Sequence, residues 1–340
     1  MTSNYINKVA IIGAGGNVGS FITASLLATN RHAITALTRH DGAGQHAFPA
    51  GVAVAPIDYA RPETLVAALR GQDALVVTLG VSVPEEVHHA VVRAAAEARV
   101  PWVLPNEWGA DTDDEATRRD LPMWERNKRI REAIKELGRS SFISLCTGYW
   151  YEWSLSIPAA WGFHFPSRTV TLVDDGDTRI SVSTWPQVGR AAAALLSLPI
   201  HHQPINNTST TTTEEKTCLD SLRDRTVFVN SFTLSQRDML QSVLRVTGDA
   251  ASDWTILKQP HEQRFRAGRD EVAAATSGGE RAAAFAKMIY ARVLYPDGVG
   301  NFERSRGTLN EALALPREDV DEATARAIER ARKPLFADLH

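Results

Sequence analysis

Apolar runs alternate with helical patterns through the first 148 residues, and no other feature of the chain restricts its fold so far. The apolar runs are Val9–Ile12, Ala33–Leu37, Val52–Ile57, Ala74–Leu79, Trp102–Leu104 and Phe142–Cys146. Helical patterns at Val18–Ala28, Pro62–Leu69, Pro84–Ala98 and Met123–Leu137 lie between most of them. Strands separated by helices pair in parallel through right-handed crossovers, so the pattern predicts an α/β, doubly wound parallel sheet with helices on both faces. Local signals mark boundaries. Ser82-Val83-Pro84-Glu85 supplies a capping serine, a first-turn proline and a glutamate at the capping-box position, and Gly138 stops the helix that begins near Pro122.

The first strand runs into Gly13-Ala14-Gly15-Gly16-Asn17-Val18-Gly19. Val18 stands where G-x-G-x-x-G would need glycine, and the spacing that fits is G-x-x-G-x-x-G through Gly13, Gly16 and Gly19. A helix entered through glycines leaves its first N–H groups unpaired, with the positive end of the helix dipole behind them, and that suits a phosphate. Strand, glycine turn, helix and strand together predict a Rossmann-type dinucleotide site. Twenty residues past Gly19, where a carboxylate would hold a ribose hydroxyl, stands Arg39; the next acid is Asp41. A guanidinium there complements a 2′-phosphate by bidentate hydrogen bonding, which predicts NADP(H), with Thr38 and His40 beside it. Asp58, at the end of the third strand, has two readings, an adenine contact or a cap on the following turn. Leu79 and Gly80 are expected to pass under the ribose and nicotinamide.

Beyond residue 148 the alternation stops. Thr169–Val173 and Ile180–Ser183 flank Asp174-Asp-Gly-Asp177 and read as a β-hairpin turning on Gly176. Pro186–Leu198, Gln236–Val246, Glu280–Tyr290 and Asp319–Arg332 read as helices, and residues 201–217 form a polar low-complexity loop. The expected division is a nucleotide-binding domain at 1–148 and a smaller α+β C-terminal substrate lobe at 149–340, interleaved with the first and laid over its crevice. A net charge of −3 gives no basic field for nucleic acid or a membrane surface. No apolar stretch reaches the roughly 18 residues that span a bilayer, and the first strand starts too near Met1 for a signal peptide, so a cytoplasmic protein is expected. Two cysteines, Cys146 and Cys218, make no disulfide framework. "DTDDE" at 111–115 lacks the glycine and distal glutamate of a calcium loop and reads as an exposed acidic turn, and no zinc spacing occurs.

A tyrosine followed four residues later by lysine, the short-chain dehydrogenase pair, is missing: Trp153 follows Tyr149 at that distance and Leu155 follows Tyr151. With "GAGGNVG" at 13–19, Arg39, "VPWVLPNEWGAD" at 100–111, "ERNKRIREAIKELG" at 125–138 and "TGYWYEW" at 147–153, the chain resembles the atypical short-chain dehydrogenases of the NmrA-like and isoflavone-reductase-like family. The resemblance implies Pro-Ser-Glu-Phe-Gly after strand five and a lysine on the next helix as general acid or base. Here Pro105-Asn106-Glu107-Trp108-Gly109 departs from it at Asn106 and Trp108. Aligning the family's aliphatic-arginine pair on Ile130 and Arg131 puts Asn127 at the lysine position, with Lys128 one residue late.

Met123, Asn127, Ile130, Ile134 and Leu137 share one helix face, so Asn127 points inward while Lys128 lies about 100° around the cylinder. Lys128 then either curls its stem to the crevice or stays in solvent. An asparagine orients a carbonyl or a water and supplies no proton at neutral pH. Asn106 and Glu107 are expected against the coenzyme. Trp108, Trp150 and Trp153 either make a stacking pocket for a flat substrate or pack a hinge between lobes. Tyr149 or Tyr151 is a candidate proton donor, and Glu152 a candidate acid if burial raises its pKa. Two functions follow. One is an NADPH-dependent reductase or isomerase acting on a small aromatic or conjugated carbonyl compound. The other is a sensor of the NADP(H) pool that contacts a regulatory protein partner without turnover.

Overall fold

The structure is a computed structural model describing residues 3–39, 47–202 and 217–333. His40, Asp41 and positions 203–216 of the low-complexity segment lie outside the described residues. The chain opens with β1 (Lys8–Ile12), α1 (Asn17–Ala28), β2 (Ala33–Arg39), β3 (Val52–Ile57), α2 (Pro62–Leu69) and β4 (Ala74–Val77). It continues through α3 (Glu85–Glu97), β5 (Trp102–Leu104), α4 (Glu115–Asp120), α5 (Glu125–Leu137) and β6 (Ser141–Cys146). Then come β7 (Tyr149–Trp150), α6 (Tyr151–Leu155), α7 (Pro158–Trp161), β8 (Phe163–His164), β9 (Thr169–Val173), β10 (Ile180–Ser183) and α8 (Trp185–Leu196). The remainder is β11 (Arg225–Phe228), β12 (Phe232–Leu234), α9 (Gln236–Thr247), β13 (Thr255–Gln259), α10 (His261–Ala274), α11 (Gly278–Val293), α12 (Phe302–Ser305) and α13 (Val320–Arg330).

Seven strands form the central sheet in the order β11-β6-β5-β4-β1-β2-β3, every neighbouring pair parallel. Strands covered on both faces need apolar residues at successive positions, as in Val9–Ile12 and Ala74–Val77, all buried. Alternate side chains go to opposite layers. Val9 and Ile11 pack with Ile22 and Leu26 of α1 and with Val188, Ala192 and Leu195 of α8. Ala10 and Ile12 pack with Leu65 of α2, Val91 and Ala95 of α3, and Ile130 and Ile134 of α5. Strand order reverses beside β1, where Ile12 lies between Leu37 of β2 and Val77 of β4, and the crevice of such a sheet opens at that carboxyl edge.

Two three-stranded sheets, β12-β10-β7 and β13-β9-β8, build the second lobe around Tyr151, Trp161, Phe163 and Tyr290. From the second half of the chain, α8 packs on α1 and β11 extends the seven-stranded sheet beside β6.

Three local expectations are corrected. Thr169–Val173 and Ile180–Ser183 do not form a hairpin. The turn between them exists, with the Gly176 N–H donating to the Val173 carbonyl, but β9 pairs with β8 and β13 while β10 pairs with β7 and β12. The Asp174 carboxylate accepts from the His261 N–H and Lys258 binds Asp175, so the turn is fastened to α10 and β13. Ser82 does not cap α3. That helix begins at Glu85 with Pro84 at its N-cap and no side-chain cap. Strand four ends at Val77, two residues before Leu79, because its partner β1 stops at Ile12 and turns away at Gly13, so the Thr78 N–H makes the last ladder bond, to the Ile12 carbonyl.

Candidate functional site

At the end of β1 the backbone must turn sharply beneath β4. Gly13 has a φ of +81°, and a Cβ there would stand 2.3 Å from the Thr78 carbonyl oxygen. A Cβ on Gly19 would stand 2.0 Å from the Gly13 carbonyl oxygen, so the start of α1 lies directly on the turn. The Gly16 N–H donates to the Gly13 carbonyl at 2.9 Å. Thr78, which the sequence reading missed because nothing in the strand pattern distinguishes it, donates its hydroxyl to the carbonyls of Ile12 at 2.8 Å and Gly13 at 3.0 Å. Val18 sends its side chain into the core beneath. No side chain caps α1 and no acid occupies its first turn, so the positive end of the helix dipole is not offset by a carboxylate there.

Arg39 ends β2 opposite Ile57 of β3, exposed at the same edge of the sheet. Beside it is Tyr59, whose hydroxyl burial pushes up to about 12, with the Arg39 charge acting in the opposite sense. Asp58 takes the capping role, its carboxylate accepting from the Ala60 N–H and the Arg61 guanidinium, each at 2.9 Å.

Past β4 the chain opens. A Cβ built on Gly80 meets no atom within 4 Å, and neighbouring Val81 is 56% exposed. Asn106 donates from Nδ2 to the Leu79 carbonyl at 2.8 Å, tying the segment after β5 to the segment after β4. Trp108 is 5% exposed in the core, its indole N–H donating to the Val77 carbonyl at 2.7 Å, and so faces no crevice. Glu107 is buried too. Its carboxylate accepts from Arg131, from Thr112 at 2.5 Å and from Ser144 at 3.0 Å, and Arg131 also reaches Asp113 at 2.5 Å. Burial pushes the Glu107 carboxyl up, and the Arg131 charge opposes it.

That buried pair places α5. Arg131 grips the segment that follows β5, and Asn127, one turn earlier on the same face, therefore stands beyond it at the crevice edge. Arg126 extends from the same turn to the Val83 carbonyl at 3.3 Å. Asn127 is 5% exposed, and its carboxamide has no hydrogen-bond partner among the described residues. Lys128 lies outside, 46% exposed at its side chain and 3.8 Å from Glu132 one turn on. Of its two readings, the structure supports the solvated one.

The segment after β6 turns into the second lobe. Tyr149 does not face the crevice. Its ring packs against Trp161 and Tyr290, its hydroxyl donates to the Ile289 carbonyl at 3.5 Å, and burial raises its pKa. Tyr151 is fully buried with its hydroxyl 2.8 Å from that of Thr324. Glu152, raised by burial, accepts from Arg326 at 3.2 Å. Trp150 donates to the Trp108 carbonyl at 2.8 Å and makes edge contact with Trp153, both half-buried. The acidic segment is not an idle exposed turn. Asp111 is buried against Arg306, Asp113 holds Arg131, and Asp114 caps α4. A small cavity of about 20 Å³ lies between lobes, lined by Asp111, Tyr149, Arg292 and Phe302, with no residue of the glycine turn in its wall. Cys146 and Cys218 are buried and free, and no cluster of three metal-ligating side chains occurs among the described residues. No helix among them is long and apolar enough to cross a membrane.

Comparison with known proteins gives the same architecture. The oxidoreductase aprR of Aspergillus flavus is 27% identical over 322 residues, covering 94% of this chain and 97% of that protein. An isoflavone reductase structure superposes with a TM-score of 0.68 at 18% identity, over 95% of this chain and 99% of its own. Leucoanthocyanidin reductase from Vitis vinifera gives 0.67 at 16%, over 96% and 100%. The NADPH complex of a quinone oxidoreductase from Escherichia coli gives 0.66 at 18%, over 94% and 99%. Residues 6–158, the stretch that holds the glycine turn, β4, the Asn106–Glu107 segment and α5, match the NmrA-like family.

Proposed function

We propose that the protein is an NADP(H)-dependent reductase acting on a small conjugated carbonyl compound. The observation that carries the reading is the glycine cradle. Gly13 and Gly19 leave no room for side chains, the N-terminus of α1 has neither a side-chain cap nor an acid in its first turn, and Arg39 stands exposed at the neighbouring strand end. These residues fit a diphosphate and a 2′-phosphate, with Leu79 and Gly80 under the ribose and nicotinamide. When bound, the reduced coenzyme supplies hydride. The chain's own part is to hold the ring over Gly80, where space is open, and to seat an acceptor between Val81 and Met123, apolar side chains that are 56% and 37% exposed. The family likeness, the aprR relative and the reductase structures support this reading.

Titration calorimetry with NADPH and NADH tests it. NADPH is expected to bind at least about tenfold more tightly, and Arg39→Ala to remove most of that preference. Equal affinity for the two, unchanged in the variant, refutes the assignment of Arg39. A second reading, an NADP(H) sensor without turnover, is favoured by the outward position of Lys128. Coenzyme binding without consumption of NADPH by any carbonyl acceptor would establish it.

A further inference from the structure

Arg126, Lys128, Arg129 and Arg131 crowd the first turns of α5. Arg129 holds Glu85 by two bonds of 2.7 Å, Arg131 is enclosed with Glu107 and Asp113, and Lys128 lies 3.8 Å from Glu132. Arg126 differs. It is half-buried and forms no ion pair among the described residues. The acids whose charge reaches it, Glu85 and Glu107, are committed to its neighbours, and burial pulls its pKa below the ordinary arginine value. One N–H goes to the Val83 carbonyl at 3.3 Å, and the rest of the planar fork is unused among the described residues. Two buried ring nitrogens of the same seam between α3 and the start of α5, His88 Nε2 and Trp124 Nε1, also lack partners among the described residues. His88 lies within range of the Arg126 charge, and burial lowers its pKa to about 4, so at pH 7 it is a neutral imidazole.

A guanidinium partly withdrawn from water without a counter-ion is costly, and its fork matches a carboxylate. Arg126 follows Met123 by one helical turn and reaches Val83, two residues past Val81. It therefore joins the two walls of the apolar seat between Val81 and Met123 and closes one end of it. Arg39 stands on the opposite flank, since β1 and its glycine turn lie between β2 and β4. An anion at Arg126 is accordingly distinct from the 2′-phosphate expected at Arg39. Resting on the reductase reading above, we infer that the acceptor carries a carboxylate, which Arg126 binds while the apolar body of the molecule lies between Val81 and Met123. A neutral acceptor of the same shape leaves the guanidinium unpaired, so the seat selects for charge at one end as well as for an apolar body.

The experiment uses the full chain with NADPH and two acceptors, the para-carboxylate of benzylideneacetone and its methyl ester. The carboxylate is expected to exceed the ester at least about tenfold in kcat/KM, chiefly through KM, the scale of a charge-assisted bond. Arg126→Gln keeps a donor for the Val83 carbonyl and loses the charge, which separates anion binding from a merely structural tie. It is expected to bring the ratio of carboxylate to ester within about twofold of unity while the Kd for NADPH stays within about twofold of wild type. Arg126→Lys, a point charge without the fork, is expected to keep part of the preference. Independent of turnover, calorimetry in the presence of NADP⁺ is expected to show the carboxylate binding wild type at least about tenfold more tightly than Arg126→Gln. A wild-type protein that treats carboxylate and ester alike, or a preference that survives Arg126→Gln, overturns the inference. Arg126-dependent binding of the carboxylate without its reduction supports the subsite and refutes the reductase reading. Coenzyme binding with neither acceptor bound overturns the inference and leaves the coenzyme site standing, whereas failure to bind NADPH removes the reading beneath it and the inference with it.

Discussion

Gly19→Ala puts the nucleotide cradle to its most severe test. The added methyl would sit 2.0 Å from the Gly13 carbonyl oxygen and 2.7 Å from the Thr78 hydroxyl, when real Cβ contacts stay beyond 3.0 Å. Backbone must therefore shift by about 1 Å, and the carbonyl that must move is the acceptor for both the Gly16 N–H and the Thr78 hydroxyl. Two hydrogen bonds at about 1 kcal/mol each, with misdirected N–H groups in the cradle, come to about 3 kcal/mol, or more than 100-fold in NADPH affinity. Gly80→Ala is the matched control, because its Cβ meets nothing within 4 Å and its backbone is not left-handed. The melting temperature of Gly80→Ala should stay within about 1 °C of wild type while NADPH binding weakens, if the nicotinamide passes over that glycine. Fluorescence titration and thermal unfolding measure both quantities. A Gly19→Ala protein that binds NADPH within threefold of wild type refutes the cradle, and a Gly80→Ala protein with unaltered affinity moves the nicotinamide elsewhere.

Other perturbations have equally definite signs. Removing Arg131 as Arg131→Met strands the buried Glu107 charge and should cost about 3–5 kcal/mol in urea unfolding, while Glu107→Leu with Arg131→Met together should cost less than the sum of the two changes. His88 has a folded pKa near 4 against an ordinary 6.5, so its contribution is complete above pH 6.5 and is lost as pH falls toward 4. His88→Leu should accordingly remove about 2 kcal/mol of the stability difference between pH 7.5 and pH 5; an unchanged slope would show that this imidazole does not titrate in the interior. Lys128→Ala should leave both NADPH affinity and turnover unaltered, since the amine faces Glu132, and a hundredfold loss would return it to the reaction.

The parallel sheet was legible because buried strands leave a coarse apolar signature and glycine is the only residue that fits beneath Thr78. Helix α5 was legible for a similar reason. The 4, 3, 4, 3 spacing puts Met123, Asn127, Ile130, Ile134 and Leu137 on one face; the middle three are buried, while Met123, in the turn before α5, and Leu137, at its last residue, are exposed. The second lobe was legible only in pieces. Residues Asp174–Asp177 form a turn with hairpin composition, yet the two strands belong to different sheets, a choice made by contacts from β13 and α10 far along the chain. β13 itself carries Ile256 and Leu257 exposed, without the alternation that marks a half-buried strand. The roles of Glu107 and Asp111 were hidden likewise. Each reads locally as a site acid, and only the arrival of Arg131 or Arg306 from elsewhere makes it a fastener.

That pattern bears on the chemistry. Between β5 and β6 the chain spends its charge on holding its own parts: Glu107 and Asp113 on α5 through Arg131, Asp111 on the second lobe through Arg306, and Asp120 on α11 through Arg292 at 2.7 Å. A carboxylate enclosed by two or three donors is a poor proton source, because releasing or accepting a proton breaks the contacts that position the helix. The walls beside the glycine turn are fastened by these pairs, and the buried Asn127 on α5 adds no charge to them. Under the reductase reading, Asn127→Lys should give NADPH turnover a pH dependence set by the new amine, and a pH profile identical to that of wild type would show that position 127 lies away from the reacting groups.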